Sequence, residues 1–321
     1  MTRSLRNKNI LITGGAGFIG SHLSDALFNI PVGNLIVVDN LFIGLRENLS
    51  LLKSFRKFKF FNDDVTNSNI LLHLIEEFQI EIVFNCATKP LNYSFINPKS
   101  AFDVNTKITL NLLELQRLNK FESLCHFSTS EVYGTSMMDE MNELHPLNPT
   151  TPYAAGKLAA DLAVLSYYKT FDLDAFIVRP FNNFGPRQNR YPPLAGIIPL
   201  TISRIQDGLE PIIHGDGLQS RDFIFVKDTI SNIIKLFSVI DKGDIVNISS
   251  ENEIKVKDLI LKISDKMGYA GDFTIIKNRN ADVVRHKGSS QKLNTLIKQE
   301  VTNFDTALSQ TIEWYSRKKN I

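Results

Sequence analysis

The chain predicts a doubly wound α/β fold, a parallel sheet covered by helices on both faces. Short continuous apolar runs recur through the first half, amphipathic stretches separate them, and glycines crowd the first junction between the two.

Lys8–Thr13 (KNILIT) is the first strand, and the amphipathic stretch Phe18–Phe28 the first helix. Leu35–Asp39 (LIVVD), Lys59–Asn62, Glu81–Cys86 (EIVFNC), Leu124–Ser128 and Asp174–Val178 (DAFIV) supply five further strands. Helical spacing fills Asn69–Phe78 and Ala101–Leu118. After Arg179-Pro180 the texture changes. Residues 181–199 hold Gly185, Pro186, Pro192, Pro193, Gly196 and Pro199, which predicts irregular structure. Mixed short elements follow, with a final helix over Asp305–Tyr315. The expected organisation is a dinucleotide-binding domain over 1–178 and a smaller substrate-binding domain over 179–321, with some of its segments packing back on the sheet.

Composition narrows the partners. The 321 residues carry a net charge of +2, with 43% hydrophobic and 22% charged residues. Such a balance argues against nucleic acid and anionic lipid, and a small molecule is expected. No apolar run approaches the roughly 20 residues of a membrane span. Met1 to Asn9 is polar and leads straight into a strand, so a cytoplasmic location is expected. The two cysteines, Cys86 and Cys125, match no zinc spacing; buried thiols and no metal site are expected.

Thr13–Gly20 reads TGGAGFIG between the first strand and the first helix. Gly14 and Gly17 allow the turn and a close backbone approach, and Gly20 allows the helix to press on the strand. The amides of the helix start, around Phe18 and Ile19, then face a phosphate. Asp39 closes the second strand 19 residues after Gly20, with Asn40 beside it. A carboxylate there accepts both ribose hydroxyls of adenosine and repels a 2′-phosphate. NAD rather than NADP is the expected cofactor.

Tyr153 and Lys157 lie four apart in PYAAGKLAADLA, on one face of a helix starting near Pro152. Alone, such a pair describes an exposed helix face. Beside a nicotinamide, the ammonium is expected to pull the phenol's pKa down from about 10, making Tyr153 a base for a sugar hydroxyl. At the end of the fifth strand stands HFSTSEVYG. Thr129 can hydrogen-bond the hydroxyl that Tyr153 deprotonates, and Glu131 places a carboxylate where a second proton could move.

Together these motifs resemble the extended short-chain dehydrogenase/reductase family, in its nucleotide-sugar epimerase, dehydratase and decarboxylase branch. TGGAGFIG, Asp39, Asp64-Val65, Thr129 with Tyr153 and Lys157, RPFNNFGPR ending at Arg187, and SRDFIFVKD at Ser220–Asp228 fall in the family's order along nearly the whole chain. The resemblance implies that Asp64 and Val65 contact adenine, Ala87 lines the cofactor groove and Asn105 supports the active-site hydrogen bonds. It also implies that Asn182, Arg187, Arg221 and Arg285 hold the nucleotide of the substrate. Where many relatives carry His at the end of the fourth strand, this chain has Asn85, then CATKP, which makes Lys89 a candidate substrate contact.

All branches of the family begin by oxidising a sugar hydroxyl, commonly at C4, which acidifies C5–H. Thr129-Ser130-Glu131 resembles the Thr-x-Glu of dehydratases and decarboxylases, whereas simple 4-epimerases usually lack the acid. Some dehydratases carry Asp where Ser130 stands, so Glu131 would handle both protons here. A 4,6-dehydratase is the leading expectation, with decarboxylase, epimerase or 4-oxidase as alternatives, and a non-catalytic dinucleotide sensor as a remote one. Relatives also pair two helices across a dimer; Leu110, Leu113, Leu158, Leu162 and Leu165 on the corresponding stretches predict a homodimer.

Overall fold

The computed structural model describes residues 3–278 and 280–319. The first half runs β1 (Ile10–Thr13), α1 (Phe18–Phe28), β2 (Leu35–Val38), β3 (Phe58–Phe61), α2 (Ser68–Glu77), β4 (Ile82–Asn85), α3 (Pro98–Arg117), β5 (Ser123–Phe127), α4 (Pro152–Phe171) and β6 (Asp174–Pro180). The second adds β7 (Asn182–Phe184), α5 (Ile197–Gln206), β8 (Ile212–His214), β9 (Ser220–Phe225), α6 (Val226–Phe237) and β10 (Ile245–Ile248). It closes with β11 (Glu253–Lys255), α7 (Val256–Lys266), β12 (Thr274–Ile276), α8 (Gln291–Leu296) and α9 (Phe304–Lys319).

Seven parallel strands form the main sheet in the order β10-β6-β5-β4-β1-β2-β3. Successive residues of a strand point to opposite faces. Ile10 and Ile12 of β1 therefore join the core with Leu23 and Leu27 of α1 and Ile230 and Ile233 of α6. Leu11 joins the other core, with Leu71 of α2, Leu112 of α3 and Val164 of α4. Both faces are dry, and this is why the strands read as continuous apolar runs rather than alternating ones. The winding reverses beside β1, between β4 and β2, so the crevice opens over the carboxyl ends of these strands.

Local chemistry sets the two helices nearest that crevice. Thr151 caps α4 by accepting a bond from the Ala154 amide, and Pro152 occupies the first turn. Such a cap contributes about 1 kcal/mol and fixes where Tyr153 enters the helix. Helix α3 starts a turn earlier than Ala101, because Asn97 caps it at Ser100 and Pro98 supplies a preset φ.

The second half does not stay apart from the first. β10 pairs with β6, from Ile245 opposite Ile177 to Ile248 opposite Pro180, and α6 packs against α1. The remainder forms its own layer: a sheet ordered β11-β9-β7, a β12-β8 pair, and a core including Phe184, Ile202, Phe223, Leu259 and Tyr315. Residues 181–199 are more regular than their prolines and glycines predict. β7 lies within them, held by pairing with the distant β9, and α5 begins at Ile197.

Of the leucines expected on a dimer face, Leu113 is wholly buried in the core. Leu110 and Leu162 are exposed at 38% and 54%, and Phe102 on the same helix as Leu110 at 38%. Among the described residues no helix is long and apolar enough to cross a membrane, and no cluster of His, Cys, Asp or Glu could hold a metal.

Candidate active site

A cavity of about 470 Å³ runs over the sheet's carboxyl edge from the β1–α1 turn to the second half of the chain. Gly14, Gly17, Phe18, Ile19 and Gly20 form one wall. Gly14 has φ +66°, and a Cβ there would come within 2.7 Å of the Ala87 backbone. At Gly20 a Cβ would lie 2.3 Å from the Gly14 carbonyl. The turn, the helix and the end of β4 are thus pressed together, which only glycine permits.

Asp39 lies in the wall just past β2; its Oδ2 accepts from the Ala16 amide at 3.0 Å and its Oδ1 from the Leu41 amide at 2.8 Å. Burial pushes its pKa up against these donors. Asn40 donates to Asp64 at 3.1 Å, and Val65 lines the wall beside them. Burial raises the Asp64 pKa, but the Thr66 and Asn40 donors and the Lys89 charge outweigh it, leaving the carboxyl below its usual range. These groups fit a dinucleotide: a side-chain-free cradle at a helix start for phosphates, and a buried carboxylate at the second strand for ribose hydroxyls.

Midway along the cavity Thr129, Ser130, Glu131 and Tyr153 come together. Thr129 caps a short 3-10 turn over Ser130–Tyr133, accepting from the Glu131 amide at 3.3 Å. Thr129 and Thr88 both stand near the Tyr153 hydroxyl and hold its pKa down against burial. Asn105 does not line the cavity. Its Oδ1 accepts from the Thr88 hydroxyl and the Lys89 amide at 2.9 and 2.8 Å, so it steadies the loop that touches Tyr153.

Lys157 sits beneath Tyr153, 2% exposed, and donates to the Phe127 carbonyl at 2.8 Å. Burial pushes its pKa down to about 8, against the attraction of Asp161. The phenol does not follow the expected direction: burial and the neighbouring Glu131 push Tyr153 up to about 12. The ammonium is turned toward the strand end, where it donates to the Phe127 carbonyl. Glu131 is also pushed up, by burial first and by Asp282, with Arg221 opposing.

At the far end Asn182 and Arg221 line the cavity. The Asn182 Nδ2 is buried without a protein partner, so it can donate inward. Arg221 bonds Asp282 at 2.6 Å and the Ser220 carbonyl at 2.9 Å.

Of three further expected substrate contacts, two lie outside the cavity wall. Arg187 turns away to pair with Asp25 of α1 at 2.6 Å. Arg285 is held by Glu253 and by the carbonyls of Met138 and Asp139, outside the cavity wall. Lys89 does line the cavity, but its ammonium stands 3.2 Å from the centre of the Phe42 ring and acts on Asp64, at the dinucleotide end. Cys86 is only half-buried and lines the cavity too, whereas Cys125 is in the core; both are free thiols.

The family model of the "NAD dependent epimerase/dehydratase family" matches residues 10–249. The chain belongs to this family, and is an NAD-dependent enzyme within the extended short-chain dehydrogenase/reductase fold. It is 31% identical to the human dTDP-D-glucose 4,6-dehydratase over 320 residues, covering 96% of this chain and 90% of that one. It is 30% identical to a putative UDP-glucose 4-epimerase of Methanocaldococcus jannaschii, covering 95% and 97%. Among solved structures, the dTDP-glucose 4,6-dehydratase DesIV of Streptomyces venezuelae, with NAD and TYD bound, superposes with a TM-score of 0.92 at 27% identity, covering 97% and 98%.

Several site residues carry little trace in the sequence. Thr88 and Asp282 reach the cavity from loops, and Asp161 and Arg179 lie buried under it. Asp161, one helical turn after Lys157, had a readable spacing; the others depend on folding.

Asp39→Ala is expected to weaken NAD by roughly 1.5–3 kcal/mol, the range for hydrogen bonds to a charged group, and to narrow the gap to NADP. Calorimetric titration of both cofactors against apoprotein measures this. Equal NAD and NADP affinities in the unaltered protein would remove Asp39 from that role.

Proposed function

We propose that this chain is a nucleotide-sugar 4,6-dehydratase. The observation that carries the reading is Glu131, a carboxyl lining the cavity beside Thr129 and Tyr153. Bound at Gly14–Gly20 and Asp39, NAD supplies the oxidising equivalent at sugar C4 and its return. Tyr153 takes the C4 hydroxyl proton, while Thr129 orients that hydroxyl. Lys157, charged below about 8, places positive charge under the site. The resulting ketone acidifies C5–H, and Glu131 removes that proton. The C6 hydroxyl then leaves as water with a proton from Glu131, since Ser130 is too weak an acid. Arg221 and Asn182 face the diphosphate of the nucleotide.

A 4-epimerase is the second reading, favoured by the 30% identity to the archaeal protein. Such an enzyme leaves Glu131 without a proton to move. Mass spectrometry of products from nucleotide hexoses, N-acetylhexosamines and hexuronates separates the readings. Loss of water supports the dehydratase; unchanged mass with inverted C4 replaces it with the epimerase, and loss of CO₂ with a decarboxylase.

We further propose a homodimer formed through α3 and α4, where Leu110, Leu162 and Phe102 are exposed. Sedimentation at micromolar concentration is expected to show a dimer, and Leu110→Asp with Leu162→Asp to give monomers. A monomeric unaltered protein would contradict the assignment.

A further inference from the structure

His286 lies behind Glu131 and takes no part in the chemistry described so far. It is wholly buried, with its ring edge-on to Phe181 at 6.1 Å. Its Nε2 lies 2.8 Å from the Gly134 carbonyl. A carbonyl oxygen can only accept, so Nε2 carries the hydrogen and Nδ1 presents a lone pair. Gly134 holds that carbonyl in place: its φ is +68°, and a Cβ there would lie 2.1 Å from the Asn148 carbonyl oxygen. The His286 amide also donates to the Ser220 carbonyl at 3.1 Å. The Gly134 carbonyl therefore sets the tautomer, and the amide bond to Ser220 fixes the backbone that carries the ring.

Nδ1 has no hydrogen-bond partner in the protein and lies 4.0 Å from the Glu131 Oε1. A lone pair cannot bond a carboxylate, but it accepts from a carboxylic acid. We propose that His286 is a positioning residue for Glu131: when the carboxyl is protonated it rotates to close the 4.0 Å gap, and Nδ1 accepts its O–H and holds it between two proton transfers. The inference rests on the dehydratase reading. In that reaction the C5–H bond breaks to a Glu131 oxygen, and its electron pair becomes the C5–C6 double bond. The C6–O bond breaks, and the departing oxygen takes the same proton as water. Between those events the proton sits on Glu131, where burial favours the neutral acid and an acceptor such as Nδ1 holds its O–H.

The surrounding charges are consistent with this state. Burial and Arg221 push His286 down to about 3, with His145 adding to the push and the Gly134 carbonyl opposing it, so the ring is neutral and accepting. Glu131 is pushed up, by burial first and by Asp282, with Arg221 opposing. Tyr153 also feels the Glu131 charge.

Three variants of the NAD-loaded enzyme test the role. His286→Gln keeps an amide N–H for the Gly134 carbonyl and puts no acceptor at Nδ1. His286→Phe fills the space without any nitrogen, and His286→Asn places an amide oxygen near Nδ1. The first readout needs no turnover: the infrared carbonyl band of protonated Glu131, identified by its loss in Glu131→Gln, is followed against pH. Its midpoint is expected to fall by about one pH unit in the Gln and Phe variants and to stay near the unaltered value in the Asn variant. With saturating dTDP-glucose or UDP-glucose as probes, the Gln variant should lose roughly tenfold in kcat with KM little changed, and the Asn variant should recover part. An unmoved midpoint in folded Gln or Phe variants overturns the proposal, as does an equal loss of kcat in all three with no change of midpoint. If Glu131→Gln retains full turnover, the dehydratase reading fails, while the infrared titration still judges the contact between His286 and Glu131.

Discussion

Tyr153→Phe is expected to slow turnover by at least about 10²-fold, because it removes the oxygen that takes the first proton while keeping the ring. Thr129 and Thr88 would lose the hydroxyl they stand beside, but Phe fits the same half-buried space, so folding should persist. Glu131→Gln should behave differently. The amide keeps the shape of the side chain but cannot take the C5 proton. Oxidation at C4 would survive, and the enzyme should stall holding an oxidised sugar that has lost no water. Rapid quenching with mass analysis of the bound sugar, read beside the absorbance of the reduced cofactor, distinguishes the two variants. Near-normal turnover by Glu131→Gln would remove the reason for placing dehydratase above epimerase.

Asp161→Ala is expected to destabilise the fold by about 3–5 kcal/mol, the cost of stranding a buried charge. Asp161 is 0% and Arg179 1% exposed. The Asp161 Oδ2 accepts from the Arg179 Nε at 3.0 Å and from the Ser128 hydroxyl at 2.8 Å. Arg179 also donates to the Tyr133 hydroxyl at 2.9 Å, and Tyr133 donates to Asn247 at 2.8 Å. The network thus ties α4 and β6 to the end of β5 and to β10 beneath the site. Removing Asp161 leaves the guanidinium in a dry interior with one neutral partner. Urea denaturation measures the loss, and a cost below about 1 kcal/mol would show that the pair adds little. Asp161→Leu combined with Arg179→Met should recover part of the loss, since the guanidinium is then no longer stranded, while Lys157 still loses the attraction of Asp161.

What was legible in the sequence shares one property: it depends on near neighbours. The TGGAGFIG turn, Asp39 at the end of a strand, and Tyr153 one helical turn before Lys157 all work through spacings of a few residues, which backbone geometry converts directly into position. The apolar runs announced a sheet buried on both faces for the same reason. The pull of Lys157 on Tyr153 was not legible, because it depends on where a long flexible side chain ends, and Lys157 ends on the Phe127 carbonyl. Where Arg187 and Arg285 end was not legible on similar grounds, for an arginine bonds whichever carboxylate folding brings within reach, here Asp25 and Glu253. Local pattern was thus enough for the parallel fold and for a glycine turn that fits a dinucleotide, and it named the candidates for moving protons. Only folding shows that β10 completes the sheet, that Asn182 and Arg221 line the cavity while Arg187 and Arg285 do not, and that His286 stands behind Glu131. Those contacts join residues far apart in the chain, and strand order and packing, rather than sequence spacing, bring them together.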